Sequence, residues 1–438
     1  MKITLLNPDW SKHNIPHTTA SVRPPKSIPL EFAYIAASLK HLADVQIIDA
    51  YAESISLHEV VERVAGFNTD LTVITTAPSY LFWRCPPLDL SIPAATSKAI
   101  KDNTGTKIAV IGPHGTSDSV WTKNETNADV IVRGEPDLIF NDLARNRNTA
   151  GIHTAHPVDM AKLPLPAYDL FNTEHYEAHA WLPEIQKHLI QDSKIHLVAE
   201  FSRGCNFSCV YCLKKEFREH YRKKSVEQME KELAYVADNG GTYLYFIDEI
   251  FNMPSAELKA LLSLLKKHGI KFGNQSRPDM MTKDMVMQFA DSGCIYIEYG
   301  VEAEDERVAS KIKKNVNTLK LEEVLKLSHE QIPVVNEFRI NFYSPDYAEV
   351  LNLDPKEPAE WDKKPIRPYP GTYLGERIFE KYGILTNKWD FALRYVWWLQ
   401  AQRKILTEGA SMDKARLKQT ILFGDYQASL GRIQEVLS

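Results

Sequence analysis

Three cysteines lie within eight residues of this 438-residue chain, at Cys205, Cys209 and Cys212. Thiolates at this spacing suit a soft metal, either zinc or the iron of an iron–sulfur cluster. A structural zinc site uses four ligands, and the nearest candidates for a fourth, His196 and His220, lack the spacing of a zinc knuckle. A [4Fe–4S] cluster held by three cysteines leaves one iron open to a further ligand. The spacing therefore favours such a cluster, with zinc as the alternative.

The elements that must position these cysteines follow a repeating β/α pattern. In residues 1–145, apolar strand-like runs alternate with amphipathic helical segments, and glycine, proline or polar residues follow the strands. This pattern predicts a doubly wound parallel sheet. Ligands of such sheets bind beyond the carboxyl ends of the strands, which here predicts binding loops at residues 7–17, 77–85 and 112–119.

A second β/α series begins after an irregular, proline-containing stretch, residues 146–195, which we interpret as a linker. Residues 196–375 predict a full or partial (β/α) barrel, in which the cysteines follow the first strand and lie at the catalytic face. Ser225 with Gln228 three residues later predicts a capping box at a helix start. The remainder, residues 376–438, reads as a helical C-terminal segment.

The cysteine loop Ser202–Cys212 resembles the signature of the radical S-adenosylmethionine (SAM) superfamily. The resemblance implies a [4Fe–4S] cluster on Cys205, Cys209 and Cys212, whose open iron binds SAM for reductive cleavage. It continues in three later segments: 245–251, 275–279 and 298–303. The residues that it implies for SAM binding are Tyr211, Asp248, Glu249, Arg277 and Glu302. Two departures are Ala303 in place of a usual serine and residues 336–345 in place of a Gly-x-Pro-Gly-Glu element.

The first domain resembles the cobalamin-binding domain found ahead of many radical SAM domains, through segments 29–37, 111–116 and 129–136. A nucleotide tail needs a slot lined by small residues beside the sheet, and hydroxyls can bind it. The residues predicted to contact cobalamin are Thr76, Ser79, Gly112, His114, Gly115 and Glu135. For His114, a capping or packing role is an equal alternative.

No Asp-x-His-x-x-Gly motif follows the first predicted strand, although His13 and His17 lie in that loop. The resemblance therefore implies a corrin without a histidine ligand on its lower face. The loop Tyr80–Cys85 either covers that face or packs at the domain interface.

Charge and hydropathy limit the partners and the location. The chain has 52 Lys and Arg against 57 Asp and Glu, so it lacks the basic footprint of a nucleic-acid-binding protein. No apolar run is long enough to span a bilayer, and the N-terminus lacks a secretory signal. Five cysteines, an odd number with three packed together, do not form a disulfide framework. We therefore expect a cytoplasmic protein.

Together these features predict a cobalamin-dependent radical SAM methyltransferase, which methylates an unactivated centre through a 5′-deoxyadenosyl radical and methylcobalamin. The expected partners are a small-molecule or peptide substrate and an electron donor such as flavodoxin or ferredoxin. The first alternative keeps both cofactors but catalyses oxidation, rearrangement or cyclisation. Two others are a radical SAM enzyme without cobalamin and a zinc-stabilised binding protein. The basic run 214–224 is interpreted as a solvated helix face, with an acidic-substrate site as the alternative.

Overall fold

The computed structural model describes the chain apart from residues 13–24, 147–149, 178–181, 219, 304, 315–316, 362–364, 409–412 and 438, and apart from the side chains of residues 81, 184–185, 215 and 318. The predicted loop residues His13 and His17 lie outside the described residues. Two parallel sheets and a C-terminal group of helices make up the described fold.

The first sheet has six parallel strands in the order β2-β1-β3-β4-β5-β6. The strands are β1 Lys2–Asn7, β2 Asp44–Asp49, β3 Leu71–Thr75, β4 Lys107–Ile111, β5 Val130–Arg133 and β6 Gly151–Thr154. β1 lies second from one edge, between β2 and β3, and the strand order reverses there, as in a doubly wound sheet. The predicted fold class of this domain is confirmed. The sheet also extends past residue 145, because β6 pairs with β5 inside the stretch predicted as a linker.

Helices cover both faces of this sheet. They are α1 Leu30–Leu39, α2 Ala50–Glu53, α3 Leu57–Gly66, α4 Ser91–Asn103, α5 Pro113–Ser117, α6 Ser119–Thr126 and α7 Phe140–Arg145. Several of these helices begin after a capping side chain. At the start of α3, for example, the Ser56 hydroxyl accepts the Glu59 backbone N–H. β1 buries apolar side chains on both of its faces because both are covered by helices, and Ile3, Leu5 and Leu6 are fully buried.

The second sheet has five parallel strands in the order β13-β12-β11-β10-β7. They are β7 Leu197–Ala199, β10 Tyr243–Phe246, β11 Lys271–Ser276, β12 Cys294–Glu302 and β13 Val334–Arg339. A separate two-stranded antiparallel ribbon pairs β8 Ser202–Arg203 with β9 Arg222–Lys223. The strand order and the intervening helices give the predicted partial barrel, whose fifth strand is β13. No sixth parallel strand extends it within the described ranges.

Among the described residues, five α-helices lie between these strands in the chain, and a sixth, α13, follows the last strand. They are α8 Val226–Asp238, α9 Ala256–His268, α10 Lys283–Asp291, α11 Glu306–Lys311, α12 Thr318–Gln331 and α13 Pro345–Leu351. The predicted capping box at the start of α8 is confirmed, since Ser225 and Gln228 exchange both hydrogen bonds. The sequence around it therefore specifies the helix start locally.

The C-terminal segment is helical, as predicted, with α14 Tyr373–Tyr382, α15 Lys388–Glu408, α16 Lys414–Phe423 and α17 Tyr426–Leu437. α15 is buried along most of its length and supplies Trp389, Tyr395 and Trp397 to the core. A search of the described helices finds none that is both long and apolar enough to cross a membrane.

Candidate active site

The three predicted cluster ligands lie on the loop that follows the β8 strand, at the carboxyl edge of the second sheet. Gly204 precedes the first of them with φ +81°, and a Cβ there would lie 2.1 Å from the His220 carbonyl oxygen. Only glycine fits this left-handed, close approach. The loop therefore turns away from the ribbon at the residue before Cys205.

Burial raises the pKa of the Cys205 thiol, and it raises that of Cys212 to about 12. The neighbouring thiols add to the effect at Cys212, because each thiolate disfavours the next. Lys214 and Arg277 oppose it at Cys205. A bound metal deprotonates coordinating thiols, so this cationic surround suits a thiolate donor set. No three described His, Cys, Asp or Glu side chains converge to hold a single metal ion. In a [4Fe–4S] cluster, each cysteine instead binds a different iron atom.

Asp248 and Glu249 follow β10 and hold the backbone that leads into the cysteine loop. The Asp248 carboxylate accepts the backbone N–H groups of Phe201 at 3.0 Å and Ser202 at 2.6 Å, and also the Ser202 hydroxyl at 2.5 Å. Burial raises its pKa to about 7 although these donors oppose the rise. Asp248 therefore holds the backbone that leads into the loop, and its contact with SAM stays a prediction.

Glu249 accepts the Gly204 backbone N–H at 2.8 Å and pairs with Arg218 Nη1 at 2.8 Å. Burial alone would raise the pKa of Glu249, but the nearby arginines, Arg218 first, lower it. An ionised carboxylate is therefore fixed one residue before Cys205. Like Asp248, it acts on the backbone of the loop.

Arg277 follows β11 and reaches the middle cysteine. Its Nη1 donates to Cys209 Sγ at 3.5 Å, and its guanidinium lies 3.8 Å from the ring centre of Phe207. Asp279 holds the same guanidinium through two hydrogen bonds, at 2.7 and 3.1 Å. A paired arginine beside a thiolate stabilises negative charge on the sulfur.

A cavity of about 540 Å³ lies at the ends of β12 and β13, lined by residues that include Glu302, Arg339 and Phe342. Glu302, at the end of β12, lines it and pairs with Lys314 at 3.2 Å. Phe342 also lines the cavity, and its ring centre lies 5.9 Å from that of Tyr211. Tyr211 is thus linked to the cavity through Phe342, and Arg277 is linked to Glu302 through Lys314, whose carbonyl accepts from Arg277 Nη2.

A buried ion network joins the cysteine loop to the first domain. Arg203, two residues before Cys205, donates to both carboxylate oxygens of Asp137, at 2.7 and 2.9 Å. The same side chain pairs with Glu200 and lies between the rings of Tyr34 and Tyr80. Arg203, Asp137 and Glu200 are all fully buried. The loop that carries the thiols is therefore fixed against the first domain.

Glu135, predicted to contact cobalamin, belongs to this network. Its carboxylate pairs with Arg203 and Arg222 of the second domain and accepts the Val158 backbone N–H at 2.9 Å. Burial would raise its pKa, but Arg203 and Arg222 lower it to about 2. The structure thus places Glu135 as an ion-pair partner across the domain interface, with its oxygens already bonded.

The basic run 214–224 is not a solvated helix face, and this prediction was wrong. Lys214, Arg218 and Lys224 are at most 3% exposed. Lys224 pairs with Glu232 at 2.5 Å, and Arg218 lies over the Tyr80 ring. These charges are used inside the fold, because the run crosses the interface instead of forming one exposed helix.

In the first domain, the predicted residues Thr76 and Ser79 carry buried hydroxyls that have no hydrogen-bond partner among the described residues. Both follow β3. Gly112, after β4, has φ +127°, and a Cβ there would lie 2.2 Å from the Thr76 hydroxyl oxygen. Gly112 therefore leaves room for that hydroxyl between the two loops. Gly115 faces the sheet instead, since its Cβ would lie 3.0 Å from Ile131.

His114 is fully buried, and the packing alternative describes its surroundings. Its Nε2 lies 2.8 Å from the Pro87 carbonyl oxygen, and its ring centre lies 4.3 Å from that of Trp389 in α15. Trp389 also donates to the Ser117 hydroxyl at 3.1 Å. The C-terminal helices are thereby held against the loop after β4.

The loop of residues 80–85 packs at the domain interface, which is one of the two interpretations given for it from the sequence. Trp83 is fully buried and makes an edge contact with Phe217 of the second domain. Arg84 Nη1 donates to the Asp248 carbonyl at 3.2 Å. Asp137, Glu200 and Arg203 were not among the residues predicted from the sequence. Arg203 could have been found because it lies within the cysteine signature, whereas no local sequence pattern marks Asp137 or Glu200.

A model of the radical SAM superfamily matches residues 199–344. Among curated proteins, an uncharacterised methyltransferase, PH0819 of Pyrococcus horikoshii, is 25% identical over 82% of this chain and 80% of its own length. The anaerobic magnesium-protoporphyrin IX monomethyl ester cyclase of Rubrivivax gelatinosus is 23% identical over 82% of this chain and 69% of its own length.

Two solved structures share the fold. The cobalamin-dependent S-adenosylmethionine radical enzyme OxsB superposes with a TM-score of 0.58 at 18% identity, over 87% of this chain and 56% of that one. The radical S-adenosylmethionine methyltransferase TsrM of Kitasatospora setae gives 0.55 at 15% identity, over 77% of this chain and 69% of that one. The chain therefore spans little more than half the length of OxsB.

Proposed function

Residues 199–344 match the radical SAM superfamily, and from that premise we propose that the chain is a cobalamin-dependent radical SAM methyltransferase. The observation that carries the proposal is the position of the three-cysteine loop. The loop is fixed by buried ion pairs against a doubly wound domain whose loops present unpartnered hydroxyls. A zinc-stabilised binding protein without catalysis is not consistent with the superfamily match.

Cys205, Cys209 and Cys212 would hold a [4Fe–4S] cluster, and the donor set fits because three thiols with cationic neighbours come from one loop. Glu302 lines the nearby cavity, Tyr211 packs by Phe342 of its wall, and Arg277 contacts Cys209; these three are the proposed SAM contacts. When bound, the cluster supplies the electron that cleaves SAM to methionine and a 5′-deoxyadenosyl radical. Asp248 and Glu249 keep the loop backbone in place and are positioning residues in this proposal.

The first domain fits the polar tail of cobalamin through Thr76 and Ser79. A buried hydroxyl without a partner costs free energy, and a ligand that bonds it offsets this cost. Gly112 leaves room for the Thr76 hydroxyl, because a Cβ there would lie 2.2 Å from its oxygen. When bound, cobalamin supplies a transferable methyl group. Three other predicted residues already have contacts within the protein. We assign His114 and Gly115 to the walls of the site and Glu135 to the domain interface.

Methyl transfer is favoured by the methyltransferase name of PH0819, which aligns with most of this chain. A non-methylating reaction, such as an oxidative cyclisation, is the second candidate because a cyclase also aligns with 82% of the chain. The substrate is a small molecule or a peptide. An external one-electron donor and a reducing, cytoplasmic location suit an oxygen-sensitive cluster of this kind.

The test uses anaerobic protein reconstituted with iron, sulfide and hydroxocobalamin, then supplied with SAM and a strong reductant. We expect methylcobalamin and S-adenosylhomocysteine alongside 5′-deoxyadenosine, measured by mass spectrometry. 5′-Deoxyadenosine without methylcobalamin would move the proposal to the second candidate. Absence of 5′-deoxyadenosine from protein with full iron content would overturn both.

A further inference from the structure

The outer side of the cysteine loop carries a small surface that the proposed chemistry does not use. Val210 of the loop donates its backbone N–H to the Ile312 carbonyl at 3.3 Å, and its carbonyl accepts the Leu374 N–H at 2.9 Å. The segment after α11 and the start of α14 therefore flank the loop on its two sides. Cys209 is half-buried between them, and the adjacent Asn206 and Ser208 are exposed.

This rim is basic on one side and aromatic on the other. Lys311 and Lys313 are exposed and have no carboxylate partner among the residues that the structure describes. Lys314, in contrast, is 4% exposed and pairs with Glu302 at 3.2 Å. The Lys313 carbonyl lies 4.0 Å from Cys209 Sγ. On the other flank, the Tyr373 side chain is 53% exposed.

We propose that Lys311, Lys313 and Tyr373 form the docking surface for a small acidic one-electron carrier protein, such as a flavodoxin. The inference rests on the proposed function, which requires an electron at the cysteine loop. With a cluster bound to the three cysteines, one electron from the reduced carrier would reach SAM and break one C–S bond, giving methionine and a 5′-deoxyadenosyl radical. The carrier is left oxidised by one electron.

Charge argues for this occupant. The chain as a whole has a net charge of −5, so the whole-chain charge does not attract an acidic carrier, and attraction must come from local cations such as Lys311 and Lys313. Electron-transfer complexes bury little area, and their association is accelerated by opposite charge by about 10- to 1,000-fold. Lys311 and Lys313 provide a small contact area of opposite charge. They lie beside the cysteine loop, so a carrier bound there has a short electron-transfer path.

The experiment compares two reductants on the same reconstituted protein. The variant K311E/K313E should lose about 10-fold or more of the 5′-deoxyadenosine formation rate driven by reduced flavodoxin. Its rate with dithionite, a small reductant that needs no docking, should stay within about twofold of wild type. K311Q/K313Q should give an intermediate loss. The matched control K40E/K414E makes the same charge change at two exposed lysines, one at the C-terminal end of α1 and one in α16, and should keep the wild-type rate with both reductants.

The salt dependence gives a second readout. The flavodoxin-driven rate of wild type should fall as ionic strength rises, while that of K311E/K313E should be nearly flat. Equal flavodoxin rates in wild type and K311E/K313E would overturn the docking proposal, as would a parallel loss with dithionite. No 5′-deoxyadenosine from wild type with dithionite would instead overturn the proposed function.

Discussion

Arg203 and Asp137 form a two-point hydrogen-bonded ion pair, at 2.7 and 2.9 Å, that is buried between the two domains. Arg203 lies two residues before the first cysteine of the loop, and Asp137 lies in the first domain just after Glu135. The geometry of the thiol loop is therefore set jointly by both domains.

Arg203→Ala should lower the free energy of unfolding by about 3–5 kcal/mol, because it leaves Asp137 and Glu200 buried without their cation. Arg203→Lys keeps the charge but not the planar fork, so its loss should be smaller. Denaturant midpoints measure both. Lys98→Gln, which breaks an exposed pair with Asp102, should change stability little. A wild-type midpoint for Arg203→Ala would contradict a structural role for the pair.

Cys209→Ala should bind at most a small part of the wild-type iron and should form no 5′-deoxyadenosine, because a cluster loses one of its three ligands. Iron analysis and mass spectrometry after anaerobic reconstitution measure this. Cys85→Ala, at an exposed cysteine outside the loop, should keep the full iron content. A Cys209→Ala protein with full iron and full cleavage would refute the ligand assignment.

Glu249→Gln should alter the spectrum of the reduced cluster and the rate of SAM cleavage more than Asp248→Asn does. Glu249 bonds the Gly204 N–H directly before Cys205, whereas Asp248 bonds residues 201 and 202. We expect a shifted electron paramagnetic resonance spectrum of the reduced protein and a severalfold slower SAM cleavage in Glu249→Gln. Identical spectra for wild type and Glu249→Gln would show that the carboxylate does not position the loop.

Glu135 makes the stability of the protein pH-dependent in acid. Its pKa in the fold is about 2, below the ordinary 4.5, so its contribution is complete above pH 4.5 and is lost as the pH falls toward 2. The stability difference between wild type and Glu135→Gln should therefore be largest near neutral pH and should shrink below about pH 4.5. Denaturant midpoints from pH 7 to pH 3 test this, with exposed Glu322→Gln as control. A difference that stays constant over this range would contradict it.

Thr76→Ala and Ser79→Ala should weaken cobalamin binding by about five- to tenfold each, the value of one hydrogen bond. Neither should lower the stability of the cobalamin-free protein, because the hydroxyls have no partner in the structure. Titration followed by visible absorption measures the affinity. Ser97→Ala removes another buried, unpartnered hydroxyl, on α4, and should leave affinity unchanged. Equal losses in all three variants would refute the assignment.

The sequence by itself determined the local features of this protein. The cysteine spacing, the capping box at Ser225 and the alternation of strands and helices are encoded within short stretches. They predict the cluster loop, the doubly wound sheet and the partial barrel. The last strand of the first sheet was not predicted from the sequence, because β6 has only four residues and pairs with only one neighbouring strand.

The tertiary structure alone decided the partners of the charged residues. Glu135 reads as a site residue in its motif, yet it pairs with arginines 68 and 87 positions away. Lys214, Arg218 and Lys224 read as a solvated run, yet they are buried. A charged side chain in a sequence carries no record of what folds against it. Its partner, and hence its role, depends on long-range packing between domains.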